Sequence, residues 1–381
     1  MINFNIDLNI DVNTNVNKLL NIISNMIVLG IECTAHTFGI GIVKSDSKEA
    51  LVNVKNVYSS QDSGMDPREL TKYHVTNFNS TLEKALNEFK ELNYCLKDIN
   101  LIAFSQGPGL GNSLKVGCLV AKTLSKELNI PLIGVNHIQS HYEIGKMISG
   151  FENPLFVNIT GVNSQVAGVN KEGTYVVYGE TEDVGLGNCL DSCARIMGLG
   201  FPGGPIIDKY AQLGEELFEL PYTIKGMNVA FSGIINFVKQ RIQEFETKDG
   251  LVKLSKDKVK QYESKEQLIY DLSYSLIENC FAMIQEVAKR ALCYTGQKEL
   301  VLVGGVASSK RFCEMTTLMC KSINVEYTTT PLALCMDNGA MIAWLGYLRA
   351  KNASTDITYS QPKPYITVEE EPFVQNFKIK E

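Results

Sequence analysis

The residues best suited to chemistry begin with a pair of histidines. The chain has only four, His36, His74, His137 and His141, and the last two lie four apart in NHIQSHYEIGK (136–146). Positions i and i+4 of a helix face the same way, so both imidazoles can reach one ion. The pair follows an apolar strand pattern, PLIGV (131–135), which sets it at a helix start facing a cleft. A third ligand of carboxylate type is best supplied by Asp337 in CMDNGAMIA (335–343). An aspartate at such a loop-to-helix junction is an equally good N-cap, so the residues alone leave both roles open. Ile138 follows His137, so no glutamate stands where a zinc protease carries its base. Three glycine turns, GPGLG (107–111), FPGGP (201–205) and VGGVA (303–307), each end a strand or open a helix. Together they suit backbone N–H groups cradling a nucleotide phosphate. Asp183, Asp191 and Asp208 flank predicted helices, where they either cap them or hold ribose hydroxyls. Glu32 ends the first strand, as a cleft-facing acid or as an edge charge.

The elements that must position these groups repeat once. MIVLGIE (26–32), FGIGIVKSD (38–46) and LVNVKNVY (51–58) alternate as an antiparallel meander. A helix near 68–92, a strand at 101–109, a helix at 114–128, a strand at 131–135 and a helix from Asn136 follow. A second meander covers 154–160, 164–170 and 174–180. Helices are then expected near 185–198, 205–218 and 264–294, a strand at 300–307, a helix at 308–320, a strand at 323–328 and a helix at 338–348. Meander, helix, strand, helix, twice over, is an α/β architecture of two like halves facing a central cleft. The expected divisions are an extension at 1–25, a first domain at 26–150 completed by 338–350, a second domain at 151–337, and a tail at 351–381. Residues 242–266, rich in Lys and Glu, read as a solvated insertion, and the tail shows no core pattern.

Composition narrows the class. The 381 residues are 45% hydrophobic and 20% charged, enough for two packed cores. A net charge of −6 gives no basic footprint, so a nucleic-acid substrate needs a local patch or a partner to hold it. Ten cysteines without a C-x-x-C pair read as reduced, small hydrophobic residues of an intracellular protein. No apolar run reaches the length of a membrane span. The Asn-rich first 25 residues, with Asp7 and Asp11, fit neither a secretory signal nor a mitochondrial presequence. They read as a flexible extension, or as sequence preceding a true start at Met26.

The motifs MIVLGIECTAHTFGIGIV, IAFSQGPGLGNSLKVG, IGVNHIQSHYEIGK, GETEDVGLGNCLDSCAR, FPGGP, LVGGVAS and DNGAMIAWLG occur in that order from Met26 to Leu348. In them the chain resembles the universal tRNA threonylcarbamoyladenosine transferases, in the archaeal and eukaryotic branch that forms the catalytic subunit of the KEOPS complex. The resemblance implies two RNase H-like domains of the actin, Hsp70 and sugar kinase superfamily. It implies transfer of a threonylcarbamoyl group from threonylcarbamoyl-adenylate, made by a separate enzyme, to N6 of the adenosine 3′ to the anticodon, with release of AMP. His137, His141 and Asp337 match the family's metal ligands, which turns Asp337 towards ligation of one divalent ion, iron or zinc. Asp191, Gly204 and Asp208 match positions that hold the adenylate or ATP. The chain departs from the family at Asn158, Ile159, Thr160, Gly161 and Val162, where the family has Tyr-Val-Ser-Gly-Gly, its Tyr a metal ligand in some members. It departs again at Asp208, a Glu in the family, and at Ser309, the family's adenine-side Asn. Implied partners are tRNA, an atypical small kinase/ATPase and a small dimerising subunit. Implied residence is the cytoplasm, with the nucleus added in a eukaryote. The rival readings are a phosphotransferase of the same fold, which the soft imidazole pair disfavours, a metalloprotease, which lacks its base, and a non-catalytic scaffold with an altered pocket.

Overall fold

The computed structural model describes residues 25–46, 49–58, 66–161, 163–358 and 360–370. The expected extension at 1–25 lies outside these but for its last residue, as does the C-terminal stretch 371–381. Strands β1 (Ile27–Glu32), β2 (Thr37–Lys44) and β3 (Glu49–Val57) form the first antiparallel meander. Helix α1 (Pro67–Glu91) starts at the Asp66 cap with proline in its first turn. Then come β4 (Leu101–Gly107), α2 (Gly111–Leu128), β5 (Leu132–Asn136) and α3 (His137–Ser149). β4 and β5 add in parallel beyond β1, giving the order β3-β2-β1-β4-β5. β1 and β4 are central and buried along their whole length, which is why they read as apolar runs rather than alternations.

The second half follows the same plan. β6 (Leu155–Ile159), β7 (Ser164–Val169) and β8 (Tyr175–Glu180) form its meander. Next come α4 (Leu186–Met197), α5 (Gly203–Ala211), β9 (Ile224–Lys225), β10 (Asn228–Val229), α6 (Ser232–Thr247), β11 (Leu251–Lys253), β12 (Val259–Gln261) and α7 (Lys265–Thr295). β13 (Glu299–Val303), α8 (Lys310–Ile323), β14 (Glu326–Thr329), α9 (Leu332–Cys335) and α10 (Gly339–Leu348) close the chain's regular structure. This sheet runs β14-β13-β6-β7-β8. The last helix returns to the first sheet. A Cβ on Gly30 would lie 2.3 Å from Ala343 N, and one on Gly41 2.0 Å from Ala340 N. Bare backbone at both positions lets α10 seat against the strands, with Gly339 through Gly346 all buried.

Three expectations change. The stretch 242–266 is not a solvated insertion: β11 and β12 pair, and Val252, Leu254 and Tyr262 join the core beneath α6 and α7. Single buried residues between charged neighbours leave too short an apolar pattern to read. The helix expected over 205–218 stops at Ala211. The N–H groups of Glu215 and Glu216 turn instead to the buried Asp271 carboxylate, at 2.8 and 3.2 Å. The tail also packs. Ile366 and Val368 are buried, and side chains of Gln106, Asn136 and Gln139 donate to the carbonyls of Gln361, Thr367 and Val368. Glu369 then accepts from Val177 N on the second sheet. An extended strap held by side-chain-to-backbone bonds has no periodicity to betray it.

Candidate metal centre and cleft

Both histidines stand in the first turns of α3, which the Asn136 side chain caps by accepting from Ile138 N and Gln139 N. Their rings meet edge to face, 4.8 Å between centroids. Asp337 reaches them from the segment between α9 and α10. Its Oδ1 lies 3.2 Å from His141 Nε2 and 3.5 Å from His137 Nε2. One ligand atom from each residue falls within 4.8 Å of the others, and both histidines are buried. Asp337 does not cap α10. That task belongs to Asn338, whose Oδ1 accepts from Met341 N at 3.0 Å.

Glu32 is fully buried and holds the other face of His137. Its Oε2 lies 3.0 Å from His137 Nδ1, while its Oε1 accepts from Thr34 N at 2.8 Å and Thr34 Oγ1 at 2.5 Å. In the neutral ring, a carboxylate on Nδ1 fixes the tautomer and leaves the Nε2 lone pair facing His141 and Asp337. Burial opposes a proton on His137, but Glu32 and Asp337 outweigh it and lift its pKa to about 9. Burial would raise Asp337, yet His137 and His141 hold its carboxyl well below the usual range. For His141 burial wins, and its pKa is lowered. Two imidazole nitrogens and one ionised carboxylate converging on one point form a donor set that fits a divalent ion of borderline softness. The proton that His137 attracts marks the same demand for positive charge.

The other candidates lie on the second half and form two groups. Asp191 Oδ1 accepts from Gly203 N at 2.7 Å, so it and Gly204 meet at the N-terminus of α5, and burial raises its carboxyl above the ordinary range. Asp208 Oδ1 accepts from Ser309 Oγ at 3.1 Å, and Ser309 also caps α8. Asp183 goes elsewhere: it accepts from Val184, Phe231 and Ser232 N–H groups and so caps α6. The 158–162 segment is split. Asn158 and Ile159 are buried, while Thr160 O and Gly161 O accept from Gly187 N and Asn188 N at the start of α4. Val162 lies outside the described residues. From sequence Glu32 had only a choice of roles, and nothing pointed to Thr34 as its partner.

A family model described as tRNA N6-adenosine threonylcarbamoyltransferase matches residues 49–344. A protein of that name from Thermococcus sibiricus is 43% identical over 321 residues, covering 84% of this chain and 91% of that one. The chain belongs to the tRNA N6-adenosine threonylcarbamoyltransferase family. A second relative, from Methanocaldococcus jannaschii, is 43% identical over 328 residues. It is named a probable bifunctional tRNA threonylcarbamoyladenosine biosynthesis protein, and the match covers 86% of this chain and 56% of that longer one. HypF from T. kodakarensis shares the fold at TM-score 0.52 and 15% identity, over 86% of this chain and 48% of its own.

Within this transferase family the altered positions acquire a physical setting. Asn158 Oδ1 and Nδ2 are buried with no hydrogen-bond partner meeting ordinary geometry among the described residues, and so is the Tyr142 hydroxyl. Burial raises the Tyr142 phenol, and the Asn158 amide beside it pulls the other way, so the two groups face each other. Tyr142 stacks on Phe156 at 4.6 Å, one strand face with Asn158. Ser309 Oγ donates to Asp208 and so links α8 to α5.

Proposed function

We propose that this protein transfers the threonylcarbamoyl group from threonylcarbamoyl-adenylate to the exocyclic N6 of the adenosine 3′ to the anticodon, in tRNAs that read codons starting with A. The observation that carries the reading is the buried cluster of His137, His141 and Asp337, with Glu32 behind it, in a chain of this family. A divalent ion bound there, iron or zinc, supplies Lewis-acid polarisation of a carbonyl or phosphate oxygen. Glu32 keeps His137 in the ligating tautomer. Gly204, in the first turn of α5, lines the adenylate side, while Gly203 N is held by Asp191. Asp191, Asp208 and Ser309 hold the ribose and adenine end. Asn158 lines the altered wall.

The relatives' naming as tRNA-modifying proteins supports tRNA as acceptor. With a net charge of −6, grip on the tRNA backbone falls to partner subunits, an atypical small kinase/ATPase and a small dimerising subunit of the KEOPS type. No helix among the described residues is long and apolar enough to cross a membrane, and we assign the reaction to the cytoplasm. The test supplies unmodified tRNA, an enzyme generating threonylcarbamoyl-adenylate, and this protein with and without those partners. Nucleoside mass spectrometry showing chain-dependent threonylcarbamoyladenosine supports the reading. No product from folded, metal-loaded protein under any partner condition converts it to a scaffold.

A further inference from the structure

One cation in the cleft is without a counterpart. Lys55, near the end of edge strand β3, is half-buried, yet among the described residues its ammonium has neither hydrogen bond nor ion pair. The register explains where it stands. Lys55 lies opposite Gly39 on β2, and Gly39 lies opposite Glu32 on β1. Directly opposed residues point to one face of a sheet, so Lys55, Gly39 and Glu32 form a row. The middle member has no side chain. A Cβ there would lie 3.0 Å from Gly339 N and 3.4 Å from both Glu32 Cβ and the Asn338 carbonyl carbon, so the start of α10 packs directly over Gly39. The row therefore sets the lysine on the same sheet face as Glu32, one strand beyond the glycine on which the Asn338–Gly339 backbone rests. Two residues earlier on the same face, Asn53 Nδ2 donates to Ala333 O at 3.3 Å, which ties β3 to α9 just before Asp337. Burial pushes the Lys55 pKa down, and Asp337 and then Cys335 draw it back up, as the proximity requires.

Charge decides what such a lysine is for. The cluster holds two carboxylates, Glu32 and Asp337. A divalent ion on the triad would balance both, leaving Lys55 as surplus positive charge beside a partly desolvated cleft. A mono-anion is what that corner lacks. The residues proposed for the nucleotide, Asp191, Gly204, Asp208 and Ser309, all belong to the second half. Lys55 belongs to the first sheet, in register with Glu32, which backs the triad. A ligand with its nucleotide on the second half and its acyl group at the triad presents its remaining anion towards β3.

We propose that Lys55 anchors the carboxylate of the threonylcarbamoyl group, and so selects a carbamoyl donor derived from an amino acid. The inference rests on the transferase reading above. Its test is calorimetric binding to zinc-loaded protein of two probes, a non-hydrolysable threonylcarbamoyl-adenylate analogue and AMP, which lacks the carboxylate. Lys55→Gln should weaken the analogue by about 10- to 100-fold, the range of a charge-assisted bond, and leave AMP unchanged. Lys55→Arg should restore the analogue to within a few-fold. Equal loss for both probes would assign the lysine to the phosphate instead and overturn the carboxylate assignment. Unaltered binding of both probes by Lys55→Gln would overturn the anchor itself. No binding of the analogue by the unaltered protein would overturn the transferase reading and this inference with it. A thermal midpoint for each variant within a few degrees of the unaltered protein excludes misfolding as the cause of any loss.

Discussion

The candidate metal centre and the side of the cleft proposed for the nucleotide are built differently. At the metal centre, four groups from three distant stretches tie one another: Glu32 to His137, and both histidines to Asp337. Removing any of them leaves a buried charge or imidazole without its partner. The nucleotide side is made of separate pairs, Asp191 with Gly203 and Asp208 with Ser309, each within the second half. Those pairs can lose a methylene or exchange an amide for a hydroxyl at small cost. The positions read from the sequence as departing from the family, Asn158, Asp208 and Ser309, lie on the second half, while His137, His141 and Asp337 make up the interlocked cluster. Interlocked buried charge tolerates substitution poorly; paired groups beside solvent tolerate it well.

The sharpest way to break the contrast is the double variant His137→Ala, His141→Ala. It should lose bound metal by elemental analysis and lower threonylcarbamoyladenosine formation by more than about 100-fold, while circular dichroism stays native. Retained activity would sink the metal mechanism. Glu32→Gln comes next. Metal affinity, read by competition with a chelator, should fall about 10- to 100-fold as the carboxylate on Nδ1 is lost. An unchanged affinity would make Glu32 a spectator. Ser309→Ala should weaken AMP binding only about tenfold or less, with metal content untouched. A loss as large as that of Glu32→Gln would erase the difference between the two sides.

The smallest effect on activity belongs to Asp183, which caps α6 and touches neither side. Backbone N–H groups and Ser232 hold its carboxyl down at about 2 against the burial that would raise it. A depressed pKa means that its contribution is present above the ordinary carboxylate range and is lost as pH falls from about 4 towards 2. Asp183→Ala should therefore cost about 1 kcal/mol at neutral pH and leave transfer within about twofold. The gap in thermal midpoint between variant and parent should shrink on acidification. A gap that stays constant down to pH 2.5 would contradict the cap.

Much of the frame was legible. Both meanders and the strand that follows each showed in their apolar patterns. What failed to show was held by single residues, as in Val252 and Tyr262 of the β11–β12 pair, or by hydrogen bonds to backbone, as in the 360–370 strap. At the site, the spacing of His137 and His141 stated its own geometry, because a helix fixes where i and i+4 point. Asp337 carried two roles until the structure showed Asn338 doing the capping.

What the residues dictate locally is two histidines on one helix face, glycine turns at strand ends, and two repeats of one α/β plan. These follow from bond geometry and periodicities of 3.6 and 2, which act over a few residues. Other features arose only in the folded chain: Glu32 backs His137 across 105 residues, Lys55 stands in register with Gly39 and Glu32, and α10 sits on Gly30 and Gly41. Those are meetings between stretches whose separation along the chain carries no record of their distance in space, and they are fixed by strand register and close packing.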